Sequence, residues 1–452
     1  MSTGPSDVRP RPTPSQLAWQ QTGYGVFFHF GINTFHGQEW SDGTLPADTF
    51  NPTDLDADEW ARVAAELGAG YVVLTAKHHD GFCLWPTETT NYSVASSPWR
   101  GGRGDLVGEL ERACRRYGLG FGIYLSPWDR NAPCYENPTE YDEFYLRQLR
   151  ELCTNYGELT EIWFDGAGSA GRSYDWNRIG ELIEQTQPQA MIFNMGPATI
   201  RWVGNEDGLA SDPCTYVTDR TDLNNYDDDV VMLGEQAYIP PECDVSVRRG
   251  WFWHPDDEPK SLQHLLAIHD RSLGLGANLL LNIPPDRRGR IDSADLTRLR
   301  EWRAALDARF GSPVQASIAP KHSDQIQAEP QRALHDDGNA HPYRWRAHLP
   351  QGTVCDHVEL REDLRRGQAV LEHRVITSDG REIASGHTIG VRRIHRLAEP
   401  VAVDELLIEI IGDAYADQEP PTLSSVLVHD ARCAPTPDLP DDYRAPTETP
   451  ED

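Results

Sequence analysis

Asp165 closes a short apolar segment and is the first candidate for chemistry in this chain. It follows Glu161-Ile162-Trp163-Phe164, which we interpret as a buried strand, and Gly166 comes directly after it. Asp and Gly are poor strand formers, so the strand is expected to end there. In a barrel of parallel strands, chemistry takes place at the carboxyl ends of the strands. We therefore predict that Asp165 is a catalytic nucleophile, although the stretch alone also fits a turn or a helix cap.

Other polar side chains follow other apolar segments of the chain. His29 ends a first predicted strand, His78 and His79 follow a second, and Asn194 lies near the end of a later one. A single histidine at a strand end is usually a structural residue. Several polar groups on consecutive strand ends favour a shared site, because each is costly to bury without a partner.

Two chemistries fit these residues. A metal hydrolase would use His29, His78, His79 and Asp165 as ligands. However, His78 and His79 are adjacent and would point in opposite directions on a regular strand, which weakens the metal interpretation. The second chemistry is glycoside hydrolysis by two carboxyl groups, with the histidines and Trp40 binding sugar hydroxyls and a sugar face. We predict no metal and no cofactor.

The elements that must position these groups alternate between strands and helices. Buried apolar runs at 24–31, 71–77, 121–125, 161–165, 190–195 and 278–282 alternate with helical patterns such as 57–67, 105–117 and 139–156. This order predicts a (β/α)8-like (TIM-type) barrel in residues 1–310. Two further barrel strands must lie in the loop-rich region 202–252 or be degenerate. No glycine-rich phosphate fingerprint follows the first strand, which argues against a nucleotide-binding sheet.

The pattern changes after about residue 311. Alternating apolar and polar runs replace the helical periodicity, which predicts a C-terminal antiparallel β-sandwich over residues 311–433. Residues 434–452 are rich in proline and acidic residues and are predicted to be disordered.

Composition narrows the choice of partners. The 452 residues carry a formal net charge of −30, so nucleic acid and anionic membranes are not expected to bind. Lysine is rare beside arginine, and the acidic excess suggests adaptation to high salt. Residues 1–21 lack the apolar core of a signal peptide, and no long apolar run is present. We expect a cytoplasmic enzyme, with non-classical secretion left open and the oligomeric state undetermined.

The chain resembles the α-L-fucosidases of glycoside hydrolase family 29 over nearly its whole length. The resemblance rests on the following stretches: His29-Phe30-Gly31, Glu39-Trp40, Lys77-His78-His79-Asp80-Gly81-Phe82, Trp163-Phe164-Asp165-Gly166 and Asn278-Leu279-Leu280-Leu281-Asn282-Ile283-Pro284-Pro285. It implies that Asp165 is the nucleophile. It also implies that fucose is bound by His29, Glu39, Trp40, His78, His79 and Tyr124.

Two further stretches, 201–206 and 241–254, resemble the subgroup that cleaves α-1,3 and α-1,4 fucosyl linkages. That resemblance implies that Glu206 is the acid/base; on its own residues it would rank level with Glu235 and Glu242. It also implies that Glu242, Arg248, Trp251 and His254 lie near the site. The methyl group of fucose needs an apolar wall, for which Phe30, Phe82, Trp163 and Trp251 are candidates.

The function implied is that of a retaining α-L-fucosidase acting on fucosylated glycans through two carboxyl groups. Two alternatives stay open from the sequence. One is a fucosidase of broad specificity that also acts on aryl and α-1,2 fucosides. The other is a non-catalytic protein that binds fucosylated glycans.

Overall fold

The computed structural model describes residues 8–169, 171–222, 230–320, 343–412 and 420–440. Most of the predicted disordered tail, 441–452, lies outside these ranges. The helices are α1 (Pro14–Thr22), α2 (Ile32–His36), α3 (Ala57–Leu67), α4 (Leu106–Tyr117), α5 (Pro138–Asn155), α6 (Trp176–Thr186), α7 (Leu262–Arg271) and α8 (Ser293–Phe310). None of the described helices is long and apolar enough to cross a membrane.

The strands fall into a parallel sheet, an antiparallel sheet and a separate hairpin. Those of the first half are β1 (Tyr24–Phe28), β2 (Tyr71–Lys77), β3 (Gly120–Leu125), β4 (Glu161–Trp163), β5 (Met191–Phe193), β6 (Arg201–Trp202), β7 (Val217–Asp222), β8 (Val230–Tyr238), β9 (Pro241–Ser246) and β10 (Asn278–Asn282). Those of the second half are β11 (Val314–Gln315), β12 (Ser317–Pro320), β13 (Tyr343–Glu362), β14 (Val370–Thr377), β15 (Glu382–Gly386), β16 (Arg393–Gly412) and β17 (Leu423–His429).

Eight parallel strands form the barrel, in the order β5-β4-β3-β2-β1-β10-β9-β6. A parallel bridge between Phe193 and Ile200 joins its two ends. The predicted (β/α)8-like fold is therefore confirmed. Of the two strands that the sequence left unassigned, β9 lies inside the region 202–252 and β6 at its start. The hairpin of β7 and β8 stands between them.

Strand β1 shows why these strands read as continuous apolar runs. All five of its residues are buried. Phe27 packs with the barrel interior, whereas Val26 and Phe28 belong to the larger core between the barrel and its helices. Because helices cover the outside of the barrel, both faces of this strand are buried and apolar.

Strand β4 is shorter than the sequence predicted. It ends at Trp163, and Asp165 already belongs to the following loop. There its Oδ1 accepts a hydrogen bond from the backbone N–H of Ala167 at 2.8 Å. This is the local bond with which aspartate competes against strand pairing.

The C-terminal sheet is antiparallel and confirms the predicted β-sandwich. Its strand order is β11-β17-β13-β16-β14-β15, with β12 paired to β13. Two strands are longer than predicted: β13 and β16 each have 20 residues, and register shifts interrupt their pairing. The separate runs seen in the sequence at 343–349 and 354–361 are therefore one bulged strand. The boundaries at 311 and 433 stay predictions.

Candidate active site

A pocket opens at the carboxyl ends of the barrel strands. Among its lining residues are nine that the sequence predicted: His29, Trp40, His78, His79, Tyr124, Trp163, Asp165, Glu206 and Trp251. The lining also includes Asn194, which the sequence placed among the strand-end polar groups of a shared site, and four residues that were not assigned a role: Phe27, Phe193, Trp202 and Asp244. The barrel thus brings together side chains that are far apart in sequence, as expected for this fold.

Asp165 is held by donors on both carboxylate oxygens. The hydroxyl of Tyr124 donates to Oδ2 at 2.9 Å, and the backbone N–H of Ala167 donates to Oδ1 at 2.8 Å. Nε2 of His79 lies 3.6 Å from Oδ2, too far for a hydrogen bond. The Asp165 side chain is 26% exposed, so a bound molecule can reach it.

The hydrogen bonds of His79 fix its tautomer. Ser126 donates its hydroxyl proton to the carbonyl oxygen of Trp128 at 2.7 Å, and its Oγ lies 2.7 Å from Nδ1 of His79. Nδ1 must therefore be the donor, which leaves the lone pair of a neutral ring on Nε2. That nitrogen can accept a hydrogen bond from a hydroxyl group in the pocket.

His29 is fixed in the same way. The amide nitrogen of Asn282 donates to Ser246 Oγ at 2.9 Å and to the carbonyl oxygen of Trp251 at 2.8 Å. The amide oxygen of Asn282 therefore faces Nδ1 of His29 at 3.0 Å, and Nδ1 is again the donor. His29, like His79, has Nε2 as its available acceptor.

Burial keeps all three histidines neutral at pH 7. It lowers the pKa of His29 to about 3 and that of His79 to about 4. The pKa of His78 is lowered well below its ordinary value for the same reason, with the neighbouring histidines adding to the effect. The pocket therefore offers uncharged hydrogen-bonding groups, which suit sugar hydroxyls better than an anion.

His78 and His79 both face the pocket, although adjacency on a regular strand would have separated them. The reason is that β2 ends at Lys77, so neither residue has strand geometry. Their ring centroids lie 4.2 Å apart, and His78 stacks on Tyr124 at 5.6 Å. The prediction that the two side chains would point in opposite directions, which was used against a metal site, was therefore wrong.

Glu206 lies in the loop after β6 and lines the pocket. The indole N–H of Trp251 donates to its Oε2 at 3.3 Å. Asp244 lines the same pocket and accepts a hydrogen bond from the indole of Trp202 at 2.7 Å. Burial, followed by the charge of Glu206, raises the pKa of Asp244 well above its ordinary value. Asp244 was not predicted as a site residue, but it lies two residues after Glu242 on β9, and this spacing places both side chains on the inner face.

Glu39 supports the pocket from behind. Its Oε2 accepts hydrogen bonds from the backbone N–H groups of Trp251 at 2.9 Å and Phe252 at 3.3 Å. Burial raises the pKa of Glu39 to about 7. Trp40, the next residue, lines the pocket and meets His79 edge to face at 5.3 Å. The direct contact of Glu39 with a sugar stays a prediction.

Other predicted site residues lie outside the pocket lining. Glu242 is fully buried in the barrel interior, and Glu235 is exposed on β8. Arg248 is buried and forms ion pairs with Asp295 at 2.9 Å and Asp292 at 3.3 Å. The structure thus gives Arg248 a partner inside the protein, and its contact with substrate stays a prediction.

Of the four candidates for the apolar wall of the pocket, Trp163 and Trp251 line it. Phe30 and Phe82 pack in the core between the barrel and its helices and do not line the pocket. The rings of Tyr124, Trp163 and Phe193 form the pocket floor. Trp163 stacks on Phe193 at a centroid distance of 3.8 Å and on Tyr124 at 5.5 Å. His254 lies outside the pocket, behind Glu39 and Trp40.

The pocket residues are not arranged as a set of metal ligands in the part of the chain that the structure describes. Within the described ranges, no group of three or more His, Cys, Asp or Glu side chains is arranged to hold a metal ion. The nitrogen atoms that fix His29 and His79 are used in hydrogen bonds to Asn282 and Ser126. The residues weighed as ligands are instead arranged around a space that a polar, uncharged ring could fill.

A parallel barrel with carboxyl groups, neutral histidines and tryptophan rings at its mouth defines a glycoside hydrolase. The family model for α-L-fucosidase matches residues 6–307. Alpha-L-fucosidase 1 of Arabidopsis thaliana is 38% identical over 440 residues, which cover 91% of this chain and 87% of the relative. The chain belongs to the α-L-fucosidases of glycoside hydrolase family 29 and is an enzyme of that class.

Solved structures of the family share the fold. A glycoside hydrolase 29 family member from a rumen bacterium has a TM-score of 0.79 and 32% identity, over 96% of this chain and 79% of the other. A Ruminococcus gnavus GH29 fucosidase in complex with fucose has a TM-score of 0.79 and 27% identity, over 95% of this chain and 97% of the other. Barrel and sandwich together are therefore similar to those of known fucosidases.

Proposed function

We propose that this fucosidase hydrolyses its substrate with retention of configuration, with Asp165 as nucleophile and Glu206 as acid/base. The observation that carries the proposal is that two carboxyl groups on different barrel loops line one pocket. Each has its own donor, Tyr124 for Asp165 and Trp251 for Glu206. A pair of carboxyl groups is the machinery that most retaining glycosidases use.

The first step forms a covalent fucosyl-enzyme. Asp165 attacks the anomeric carbon while protonated Glu206 donates its proton to the departing glycosidic oxygen. The bonds from Tyr124 and Ala167 hold the carboxylate of Asp165 in one orientation. This fixed orientation favours attack because the reacting atoms need no further search.

The second step releases fucose. Glu206, now ionised, takes a proton from water, and that water attacks the anomeric carbon, breaking its bond to Asp165, which leaves as the carboxylate. Two inversions at one carbon leave the configuration unchanged. The bare Nε2 atoms of His29 and His79 accept hydrogen bonds from sugar hydroxyls during both steps, and the pocket floor packs against the apolar side of the ring.

Azide separates the roles of the two carboxyl groups. With Glu206→Ala, azide can attack the covalent intermediate, and we expect an α-fucosyl azide from an activated aryl fucoside. With Asp165→Gly, azide can only attack the substrate directly, and we expect the β-fucosyl azide. NMR of the anomeric proton distinguishes the products. An α-azide from the Asp165 variant contradicts the assignment of the nucleophile.

We also propose a preference for α-1,3 and α-1,4 fucosyl linkages in branched glycans. The support is the resemblance of residues 201–206 and 241–254 to that subgroup; these stretches supply Glu206 and Asp244 to the pocket. The test compares a Lewis-type trisaccharide, a 2'-fucosyl-lactose and an aryl fucoside. Fucose released from the 2'-linked sugar at a comparable rate would favour broad specificity instead. No turnover of any of the three would favour the non-catalytic alternative.

A further inference from the structure

Two glutamates lie together in the barrel interior, below the pocket floor. Glu161 is the first residue of β4 and Glu242 the second residue of β9, and both side chains are fully buried. The two carboxyl groups interact, because Glu242 raises the pKa of Glu161 in addition to the larger effect of burial. A direct contact between two carboxyl groups requires a proton, because two carboxylates offer only acceptors.

The surrounding donors show which carboxyl carries the proton. Glu242 accepts on both oxygens, from the hydroxyl of Tyr71 on Oε1 and from the indole N–H of Trp163 on Oε2, the latter at 3.2 Å. Glu161 accepts on Oε2 only, from the indole of Trp19 at 3.1 Å. No donor reaches Oε1 of Glu161 from any described residue. An oxygen buried without a donor is explained if it is itself the hydroxyl.

We propose that Glu161 is a neutral acid that donates its proton to anionic Glu242, and that this pair positions Trp163 in the pocket floor. Glu242 then receives three hydrogen bonds, from Tyr71, Trp163 and Glu161, which is what a buried carboxylate needs. Glu242 is a positioning residue, since it acts on substrate only through the ring of Trp163.

The charges around the pair favour this distribution. The groups that act on it come from α1 (Trp19), β2 (Tyr71) and β4 (Trp163), and Asp244 lies two residues further along β9. None of these is basic. Without a cation beside them, two buried carboxylates would repel each other, so one of them retains its proton. Burial and the neighbouring Glu242 accordingly raise the pKa of Glu161 well above its ordinary value.

The pair reaches the substrate through one side chain. The indole of Trp163 is held at its edge by Glu242 and on its faces by Phe193 and Tyr124. Tyr124 in turn donates to Asp165. Without its hydrogen bond to Glu242, the Trp163 ring would no longer be fixed in position in the pocket floor. Substrate binding should then weaken.

The proton on Glu161 is tested by the pH dependence of stability. The folded protein holds this proton at a pH at which the unfolded chain, with an ordinary glutamate, has lost it. Its stabilising effect is complete below about pH 4.5 and is lost as the pH rises toward the folded pKa. Glu161→Gln donates an amide N–H instead and needs no proton. We expect the folded-to-unfolded ratio of wild type to fall relative to this variant as the pH rises above about 5.5, by at most about tenfold per pH unit.

Denaturant unfolding measures this ratio, and Glu184→Gln, an exposed substitution on α6, is the matched control. The control should follow wild type at every pH. Curves for Glu161→Gln and wild type that stay parallel across this range would overturn the assignment of the proton.

The positioning role is tested by kinetics on an aryl fucoside. Glu242→Gln offers one acceptor oxygen to two donors, the Tyr71 hydroxyl and the Trp163 indole. We expect KM to rise about fivefold with kcat changed less than about twofold, because the pocket floor binds substrate and transition state alike. If this variant does not fold, Glu242→Asp, which shortens the side chain, replaces it with the same expectation. A KM equal to that of wild type overturns the positioning role. Impaired function of the proposed nucleophile would instead appear as a lower kcat.

Discussion

Replacing Tyr124 by phenylalanine removes one hydrogen bond from the proposed nucleophile and little else. The ring stays in the pocket floor, stacked on Trp163. Oδ2 of Asp165 loses its donor at 2.9 Å, and His79, at 3.6 Å, is too distant to replace it. Oδ1 keeps the backbone bond from Ala167. The substitution therefore isolates the contribution of a single charge-assisted bond.

The magnitude follows from the strength of such bonds. A hydrogen bond to a charged group contributes about 1.5–3 kcal/mol. A factor of ten in rate corresponds to about 1.36 kcal/mol. Without the hydroxyl of Tyr124, one oxygen of Asp165 is no longer held in the orientation for attack. We therefore expect kcat/KM to fall by about tenfold to a hundredfold.

The assay is kcat/KM for an aryl fucoside, with wild type and variant measured at the same pH. Tyr145→Phe is the matched control, because the hydroxyl of Tyr145 is buried and donates to the carbonyl oxygen of Leu125 at 2.8 Å, away from the pocket. The control should lose stability without lowering kcat/KM. An unchanged kcat/KM in Tyr124→Phe would refute the view that this hydroxyl holds the nucleophile in its reactive orientation.

Three further predictions concern stability and salt. Burial raises the pKa of Glu39 to about 7 from an ordinary value of 4.5, so Glu39 increasingly destabilises the folded protein as the pH rises between these values. The unfolding temperature of Glu39→Gln should therefore rise relative to that of wild type from about pH 5 to 8. Arg248→Gln leaves Asp295 buried without its ion-pair partner and should lower the free energy of unfolding by about 3–5 kcal/mol in denaturant titrations. The net charge of −30 predicts that unfolding temperature and activity rise with added salt; a maximum without salt would contradict adaptation to a saline environment.

Much of the barrel could be predicted because its strands are buried on both faces. The segment Tyr71–Lys77 is buried along its whole length, and a continuous apolar run of that kind is a strong signal. The shortest strands were harder to find. Strand β6 has two residues, Arg201–Trp202, and is defined by pairing with β9 rather than by its own pattern. Tertiary pairing of that kind leaves little trace in the local sequence.

Phe27 and Phe30 show why the aromatic residues of the pocket could not all be predicted from the sequence. Both are aromatic and lie three residues apart near the end of β1. Phe27 faces the barrel interior and lines the pocket, whereas Phe30, beyond the end of the strand, packs against Trp60 at 5.4 Å. The period of two decides the side of the sheet only while the strand continues. Where β1 ends, the loop sets the direction, and that depends on contacts distant in sequence.

The inward-facing side chains of strand β9 lie at different depths in the barrel. Glu242, Asp244 and Ser246 alternate along it, and their register partners on β10 are Asn278, Leu280 and Asn282. The period of two places all three on the inner face. Their heights differ: Glu242 lies below the pocket floor, Asp244 lines the pocket, and Ser246 accepts from Asn282, which fixes His29. Height is set by the tilt and register of neighbouring strands. A carboxyl group that the sequence predicts to contact substrate can therefore instead support the pocket from the layer of side chains beneath its floor.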